Sequence, residues 1–314
     1  MDPMTRADAL AARLAEGPPV LIDGGTGTEL ERMGATLHDE VWSARAALTD
    51  PGIVRAVHGA YLEAGAEIII ANTYSCNYHM MRSAGLDDEF DSANREALRL
   101  AREAAAARPT TPGRPAWVAG SMSTTTLSTS LDRSLIDEAS APGDGYRAQA
   151  EIIADAGVDL IMLEMMRDVT QTRLCLDAAL ETGLPVWMGF SAERGAQGDL
   201  RLFGSQASFE EGIARVLGNG DAPRAVGVMH SELELIPDAL QAVRRVWDGP
   251  IYAYPHHGVF EIPNWRFDNT LSPDEFSEAA LDWVERGACA VGGCCGIRPA
   301  HIAELRGALD QAYG

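Results

Sequence analysis

Short apolar runs recur along the chain, separated by segments whose apolar positions return every three or four residues. The runs read PPVLIDGG, with a strand at Val20 to Asp23; AEIIIANTY, ending near Asn72; PAWVAGS, ending near Gly120; and VDLIMLE, Val158 to Glu164. They continue as LPVWMGF, Val186 to Phe190; RAVGVMH, Ala225 to His230; PIYAYPHHG, Ile251 to Tyr254; and ACAVGGCC, running into Gly292 and Gly293. The runs are near-continuous rather than alternating, the pattern of parallel strands covered on both faces.

The intervening segments read as helices. Asp50-Pro51 starts one, with Ile53, Val54, Val57, Ala60 and Tyr61 as its stripe and Gly65 just past its end. YRAQAEIIADAG repeats the pattern and closes on Gly157. SPDEFSEAALDWVERG carries a Ser-x-x-Glu start, apolar Phe276, Ala279, Ala280 and Trp283, and a terminal Gly287. Eight such strands in 314 residues predict an α/β fold, a (β/α)8 TIM-type barrel forming a single domain over residues 1–314. A doubly wound open sheet is the structural rival. No Pro/Gly/Ser-rich linker divides the chain, and the softest stretch, Ala106 to Pro115, reads as a loop before the third strand. The longer connections Ser121 to Gly145 and Val259 to Asn269 are expected to cover the top of the barrel.

Composition narrows the function. Hydrophobic residues make up 46%, which excludes disorder as the dominant state. With 25 Lys+Arg against 46 Asp+Glu and a net charge of −21, the chain lacks the cationic balance that nucleic acid or an anionic membrane demands. No run reaches the ~18 apolar residues of a membrane span, and the N-terminus lacks a signal peptide's apolar region, so a cytoplasmic protein is expected. The five cysteines, Cys76, Cys175, Cys289, Cys294 and Cys295, are too few and too unevenly placed for a disulfide framework.

A barrel of this kind works at the C-terminal ends of its strands, and polar residues gather at those predicted ends. They include Asp23-Gly24-Gly25-Thr26, Asn72-Thr73-Tyr74, Glu164, His230, His256-His257 and Cys294-Cys295. The glycine run has neither dinucleotide nor P-loop spacing; it reads as close backbone approach to a small ligand or as a tight turn capped by Asp23. Adjacent thiols between glycines can hold one metal, and His230 is the natural third ligand. A Cys2His set with an open position is the layout of a catalytic zinc. His256 and His257 are alternatives for that role or partners of a ligand. Glu164 closes an apolar strand and needs a polar partner. Trp42, Tyr74 and Trp265 offer ring faces to a methyl-onium group. Cys76 could face the site; Cys175 and Cys289, like His58 and His301, read as structural.

Several of these segments together resemble the homocysteine S-methyltransferase family, zinc-dependent thiol methyltransferases that include betaine- and S-methylmethionine-using enzymes. LIDGGTGTELERMG resembles the family's N-terminal aspartate-glycine-glycine loop, and PGIVRAVHGAYLEAGAEIIIANTYSCN, AGVDLIMLEMMRD and GGCCGIRPAHI resemble its first third, its glutamate segment and its cysteine signature. The resemblance implies that Cys294 and Cys295 hold zinc. It also implies that Asp23, Gly24, Gly25 and Glu164 bind the amino-acid part of homocysteine. Three departures fall at the site. The family's third cysteine is His230, preceded by Met229 rather than asparagine; its Tyr-Pro-Asn asparagine is His256; and its Ser-Ile-Gly-Pro run is Ser121-Met122-Ser123-Thr124.

The expected reaction is methyl transfer from a sulfonium or quaternary ammonium donor (S-methylmethionine, betaine or dimethylsulfonio type) to a thiol such as homocysteine, a step of methionine biosynthesis. In this reading zinc is held by His230, Cys294 and Cys295, with Glu164 and Asp23 as catalytic groups. Gly24, Gly25, Thr26, Trp42, Asn72, Tyr74, Glu164 and His256 contact the substrates. The alternative is a metal-dependent hydrolase or lyase on the same barrel. The sequence leaves monomer or homo-oligomer open.

Overall fold

A computed structural model describes residues 3–108, 115–124, 143–218, 222–261, 264–266 and 271–314. Eight parallel strands are formed by β1 (Val20–Leu21), β2 (Ile68–Ile70), β3 (Trp117–Ser123), β4 (Leu160–Met166), β5 (Val186–Phe190), β6 (Ala225–Glu232), β7 (Ile251–His256) and β8 (Ala288–Val291). Each strand pairs with its neighbours in sequence, and β8 pairs with β1. The ring closes between β1 and β2. There Ile22 bridges Ile68, and the Asp23 and Glu67 amides donate to the carbonyls of Ile68 and Leu21 at 2.9 and 2.7 Å. This closure selects the barrel over the open sheet.

The strands lack polar alternation because both of their faces are buried. Trp117, Ala119, Leu160, Met162, Trp187, Met229 and Tyr252 fill the barrel interior. The residues between them, such as Val118, Ile161, Leu163, Met188 and Val228, pack under the surrounding helices. The three helices read from sequence are Pro51–Glu63, Asp144–Asp155 and Pro273–Glu285, the last with a complete Ser272/Glu275 capping box. Gly65, Gly157 and Gly287 follow them at positive φ, as stop signals should.

The N-terminal helix, Pro3–Glu16, closes one end of the barrel. Its Leu10 enters the interior cluster, Arg6 pairs with Asp159 at the foot of β4, and Arg13 pairs with Glu67 before β2 at 3.2 Å. The opposite end, where the strands finish, is left for chemistry. Two antiparallel hairpins stand there. Ala192–Arg194 with Leu200–Leu202 was not anticipated from sequence, and Val259–Glu261 with Asn264–Arg266 occupies part of the connection after β7. Of the cover expected after β3, residues 125–142 lie outside the described residues. Among the described residues, no helix is long and apolar enough to cross a membrane.

Candidate active site

The two thiols are presented by the turn that follows β8. Its main chain is fastened on both sides: the Cys294 amide donates to Pro255 O at 2.6 Å, Cys295 O accepts from the His257 amide at 2.8 Å, and the Gly293 amide donates to Asp23 O at 3.2 Å. The glycine-rich loop after β1 is the abutment of this turn. The Gly25 amide donates to Ile297 O at 2.9 Å, and a Cβ on Gly25 would fall 2.6 Å from Cys294 O. The loop's glycines therefore admit a second backbone.

Around the thiols runs one chain of contacts. Cys294 Sγ lies 3.5 Å from Cys295 Sγ, and 3.1 and 3.6 Å from Nδ1 and Nε2 of His230. His230 Nε2 lies 3.1 Å from Glu164 Oε2, whose other oxygen accepts from the Ser121 hydroxyl. The Tyr74 ring stacks on His230 at 5.3 Å, and its hydroxyl donates to Met165 Sδ at 3.0 Å. Burial opposes a charged imidazole at His230, but Cys294 and Glu164 outweigh it and push its pKa up to about 10. Burial, with Cys295 alongside, holds the Cys294 thiol well above its ordinary range.

A cavity of about 50 Å³ opens on these groups. Of the residues expected from sequence, Gly25, Thr26, Trp42, Asn72, Tyr74, Glu164, His230, Cys294 and Cys295 line it. Asp23, Gly24 and His256 are not among its lining residues. Both Asp23 oxygens are engaged inside the barrel rim: Oδ2 accepts from the Ile70 amide at 2.8 Å and Oδ1 from the Tyr254 hydroxyl at 3.0 Å. Burial raises the Asp23 carboxyl well above the usual range. Burial, with His230 alongside, pushes His256 down to about 4.

The remaining candidates lie aside. His257 Nε2 accepts from the Leu271 amide at 3.0 Å. Cys76 is buried against Ala44 O and Asn72 O, and Cys175 is core. The side chain of Trp265 lies outside the described residues. Sequence reasoning passed over Ser43 and Tyr254, and named Ser121 only within the run that departs from the family's Ser-Ile-Gly-Pro. Tyr254 carried a usable signal, since it sits two positions before His256 on one strand and so shares its face. A wider groove of 580 Å³ lies between the outer helices Phe209–Leu217 and Ile236–Val246. Its Arg245–Glu210 and Arg194–Asp238 pairs are exposed, and it holds no thiol or imidazole.

Among the described residues, no three His, Cys, Asp or Glu side chains converge on a single metal position. The donor set is nonetheless one that zinc takes. Zn–S and Zn–N bonds of about 2.3 and 2.0–2.1 Å give tetrahedral edges of roughly 3.6–3.8 Å; Cys294–Cys295 spans 3.5 Å, and the nitrogen turned to Cys294 is His230 Nδ1 at 3.1 Å, inside such an edge. In the arrangement described, His230 Nε2 faces Glu164.

A model of the family described as Homocysteine S-methyltransferase matches residues 20–309. Homocysteine S-methyltransferase 4 of Zea mays is 30% identical over 99% of this chain and 95% of its own length. Selenocysteine methyltransferase of Astragalus bisulcatus is 30% identical over 91% of each. Among solved structures, the homocysteine methyltransferase MmuM from Escherichia coli in its metallated form is similar at a TM-score of 0.73 with 25% identity. That likeness covers 95% of this chain and 99% of the other.

Proposed function

The chain belongs to the homocysteine S-methyltransferase family, and from that premise we propose that it moves a methyl group from a sulfonium or quaternary ammonium donor to a thiol such as homocysteine. The observation that carries the reading is the meeting of Cys294, Cys295, His230 and Glu164 on one cavity at the strand ends. With homocysteine as acceptor the product is methionine, and we place the reaction in the cytoplasm.

His230, Cys294 and Cys295 would hold a zinc ion. Bound there, zinc supplies the Lewis acidity that keeps an acceptor thiol ionised at neutral pH. Glu164, braced by Ser121, orients the imidazole and offers its charge to the acceptor's ammonium. Gly25 and Thr26 line the cavity wall, and Gly25, which carries no side chain, leaves room there for the acceptor's amino-acid end. The Trp42 and Tyr74 faces suit a donor cation, which attracts ring quadrupoles and carries its own leaving group. Asp23 acts at one remove, tying β1 to β2 and Tyr254 beneath the thiols.

The test is methyl transfer to homocysteine from S-methylmethionine, betaine and a dimethylsulfonio donor, with metal content measured for the parent and His230→Ala. The expected result is a methylated thiol, a zinc-replete parent and a depleted variant. No methylated thiol with any donor, from zinc-replete protein, would overturn the transfer reading in favour of hydrolysis or elimination. Equal zinc in both proteins would remove His230 from the ligand set.

A further inference from the structure

We propose that Thr73 is a positioning residue: its hydroxyl fixes Ser121 against Glu164, and so decides which carboxylate oxygen meets Ser121 and which meets His230. The need for such a brace comes from the strands themselves. Glu164 and His230 both sit where a parallel ladder slips register. Leu163 faces Met188 and Met166 faces Phe190, so three steps on β4 match two on β5; Met229 faces Tyr254 and Glu232 faces His256, the same slip between β6 and β7. A bulge re-aims a side chain and takes its residue out of the regular ladder. The direction of the Glu164 carboxylate is therefore set by what its oxygens touch. One accepts from the Ser121 hydroxyl, and the other lies 3.1 Å from His230 Nε2.

Ser121 in turn is held by a side chain that stands in for a strand. The β2–β3 ladder pairs Ile70 with Ala119, and the Ala71 amide donates to Ala119 O at 2.9 Å. There β2 turns away, the Thr73 amide donating back to Ala71 O at 2.7 Å. Thr73 Oγ1 takes over the pairing: it accepts from the Ser121 amide at 2.9 Å and donates to Ser121 O at 2.7 Å, as one hydroxyl can, having one proton and two lone pairs. Ser121 shares the inward face of β3 with Trp117 and Ala119, which turns its own hydroxyl to Glu164. Thr73 is pinned from outside. Its carbonyl accepts from Gln149 Nε2 at 3.0 Å, and Gln149 Nε2 also donates to Asn94 Oδ1 at 3.1 Å, from the helices Asp144–Asp155 and Phe90–Ala107. Thr73, Ser121, Gln149 and Asn94 are fully buried, so bulk water does not make good a lost partner. Thr73 is absent from the cavity lining and acts through Ser121. Without its hydroxyl, the Ser121 amide and carbonyl are stranded; the rim of β3 shifts to pair them again, and the Ser121 hydroxyl moves off Glu164 with it.

The use of Glu164 in the reaction rests on the transfer reading above, so the experiment reads the imidazole beside it separately. In long-range ¹H–¹⁵N spectra of histidine-labelled, zinc-free protein, the His230 signals are those lost in His230→Ala. Thr73→Val keeps the shape and drops the hydroxyl, and should shift the His230 signals in the direction that Glu164→Gln does. Ser121→Ala should shift them equally, and the double variant no further than either alone, because both act through one contact. Thr73→Ser, which keeps the hydroxyl, should restore the parental spectrum. In methyl transfer, Thr73→Val should raise KM for the acceptor thiol about 10–100-fold, the worth of a hydrogen bond to a charged group, and leave KM for the donor near parental. Should Thr73→Val not fold, Thr73→Cys, whose thiol bonds only weakly, takes its place against Thr73→Ser. Parental His230 signals in the folded variant without the hydroxyl, or additive shifts in the double variant, would overturn the proposal. No methyl transfer with any donor from the zinc-replete parent would overturn the transfer reading instead, and the spectra would still decide the role of Thr73.

Discussion

Alanine at Gly25 should push the cysteine turn off its abutment. The new methyl would lie 2.6 Å from Cys294 O and 2.7 Å from Thr28 Oγ1, where ordinary contact begins near 3.4 Å, so something must yield by close to an ångström. Neither neighbour is a free end. Cys294 O accepts the Ile297 amide at 3.0 Å, Ile297 O accepts the Gly25 amide at 2.9 Å, and Thr28 Oγ1 accepts the Gly296 amide at 3.3 Å. Overpacking strain costs about 1–3 kcal/mol, and each hydrogen bond stretched out of range about 0.5–1.5 kcal/mol. The backbone itself tolerates alanine, since φ at Gly25 is −67°, and reduced freedom in the unfolded chain offsets about 0.4–1 kcal/mol. A net loss of about 3 kcal/mol follows. With an unfolding entropy of about 2.1 cal/mol/K per residue, that lowers Tm by roughly 5 °C for a chain of this length. Thermal unfolding checks the magnitude. Thiol titration of the folded protein checks the location, because Cys294 and Cys295 should label faster while Cys76 and Cys175 stay protected. A Gly25→Ala protein with parental Tm and parental labelling would refute the account of the glycine loop as an abutment.

Three further outcomes are expected. His58 is fully buried with neither ring nitrogen partnered, and burial pushes its pKa down to about 4. The unfolded chain therefore takes up a proton that the folded one refuses. Stability should fall by about 3 kcal/mol as pH drops from about 6.5 to 4 and level off below; urea unfolding of His58→Leu should lack that slope, and parallel curves would refute it. Leu10→Ala empties the plug at the closed end of the barrel and should cost about 2–5 kcal/mol in denaturant unfolding. Activity per folded molecule should hold, because the site lies at the other end. Glu164→Gln keeps the size of the side chain but removes the charge beside His230, and should lower kcat/KM for methyl transfer about 10–100-fold with little change in Tm; equal kinetics would exclude a role for the charge.

What could be read from sequence follows the physics of each element. β5 falls at Val186–Phe190 as expected, because both its ends coincide with a change from apolar to turn residues. β3 and β6 run on to Ser123 and Glu232, past the point where an apolar run stops. Polar residues at a barrel rim still pair, and apolar periodicity has no signal for that. β8 stops at Val291, leaving both thiols on the turn beyond. The hairpin at 192–202 was missed because strands of three residues fall below the length at which alternation registers. In the site, Glu164, His230 and the cysteine pair were legible because each stands where an apolar run of the sequence stops. The engagements of Asp23 with Tyr254 and of Gly25 with the cysteine turn join residues more than 200 positions apart. No local pattern encodes such a pairing.

Backbone strain locates the site independently of any motif. Among the described residues, three that are not glycine have positive φ: Trp42 at 46°, Met165 at 56° and His230 at 47°. Trp42 and His230 line the cavity, and Met165 takes the hydroxyl of Tyr74, which lines it too. Glycine would relieve each position, and this chain places glycine at positive φ after helix upon helix. At these three it keeps a side chain and carries about 1–3 kcal/mol of strain apiece. A barrel shaped by stability alone has no use for that cost at three positions around one small cavity. The side chains must therefore contribute there what glycine cannot: an indole on the wall, a thioether under Tyr74 and an imidazole against two thiols. Local rules are broken around the candidate cavity, as functional sites break them, and the His230 bulge is the break on which the proposed metal set depends.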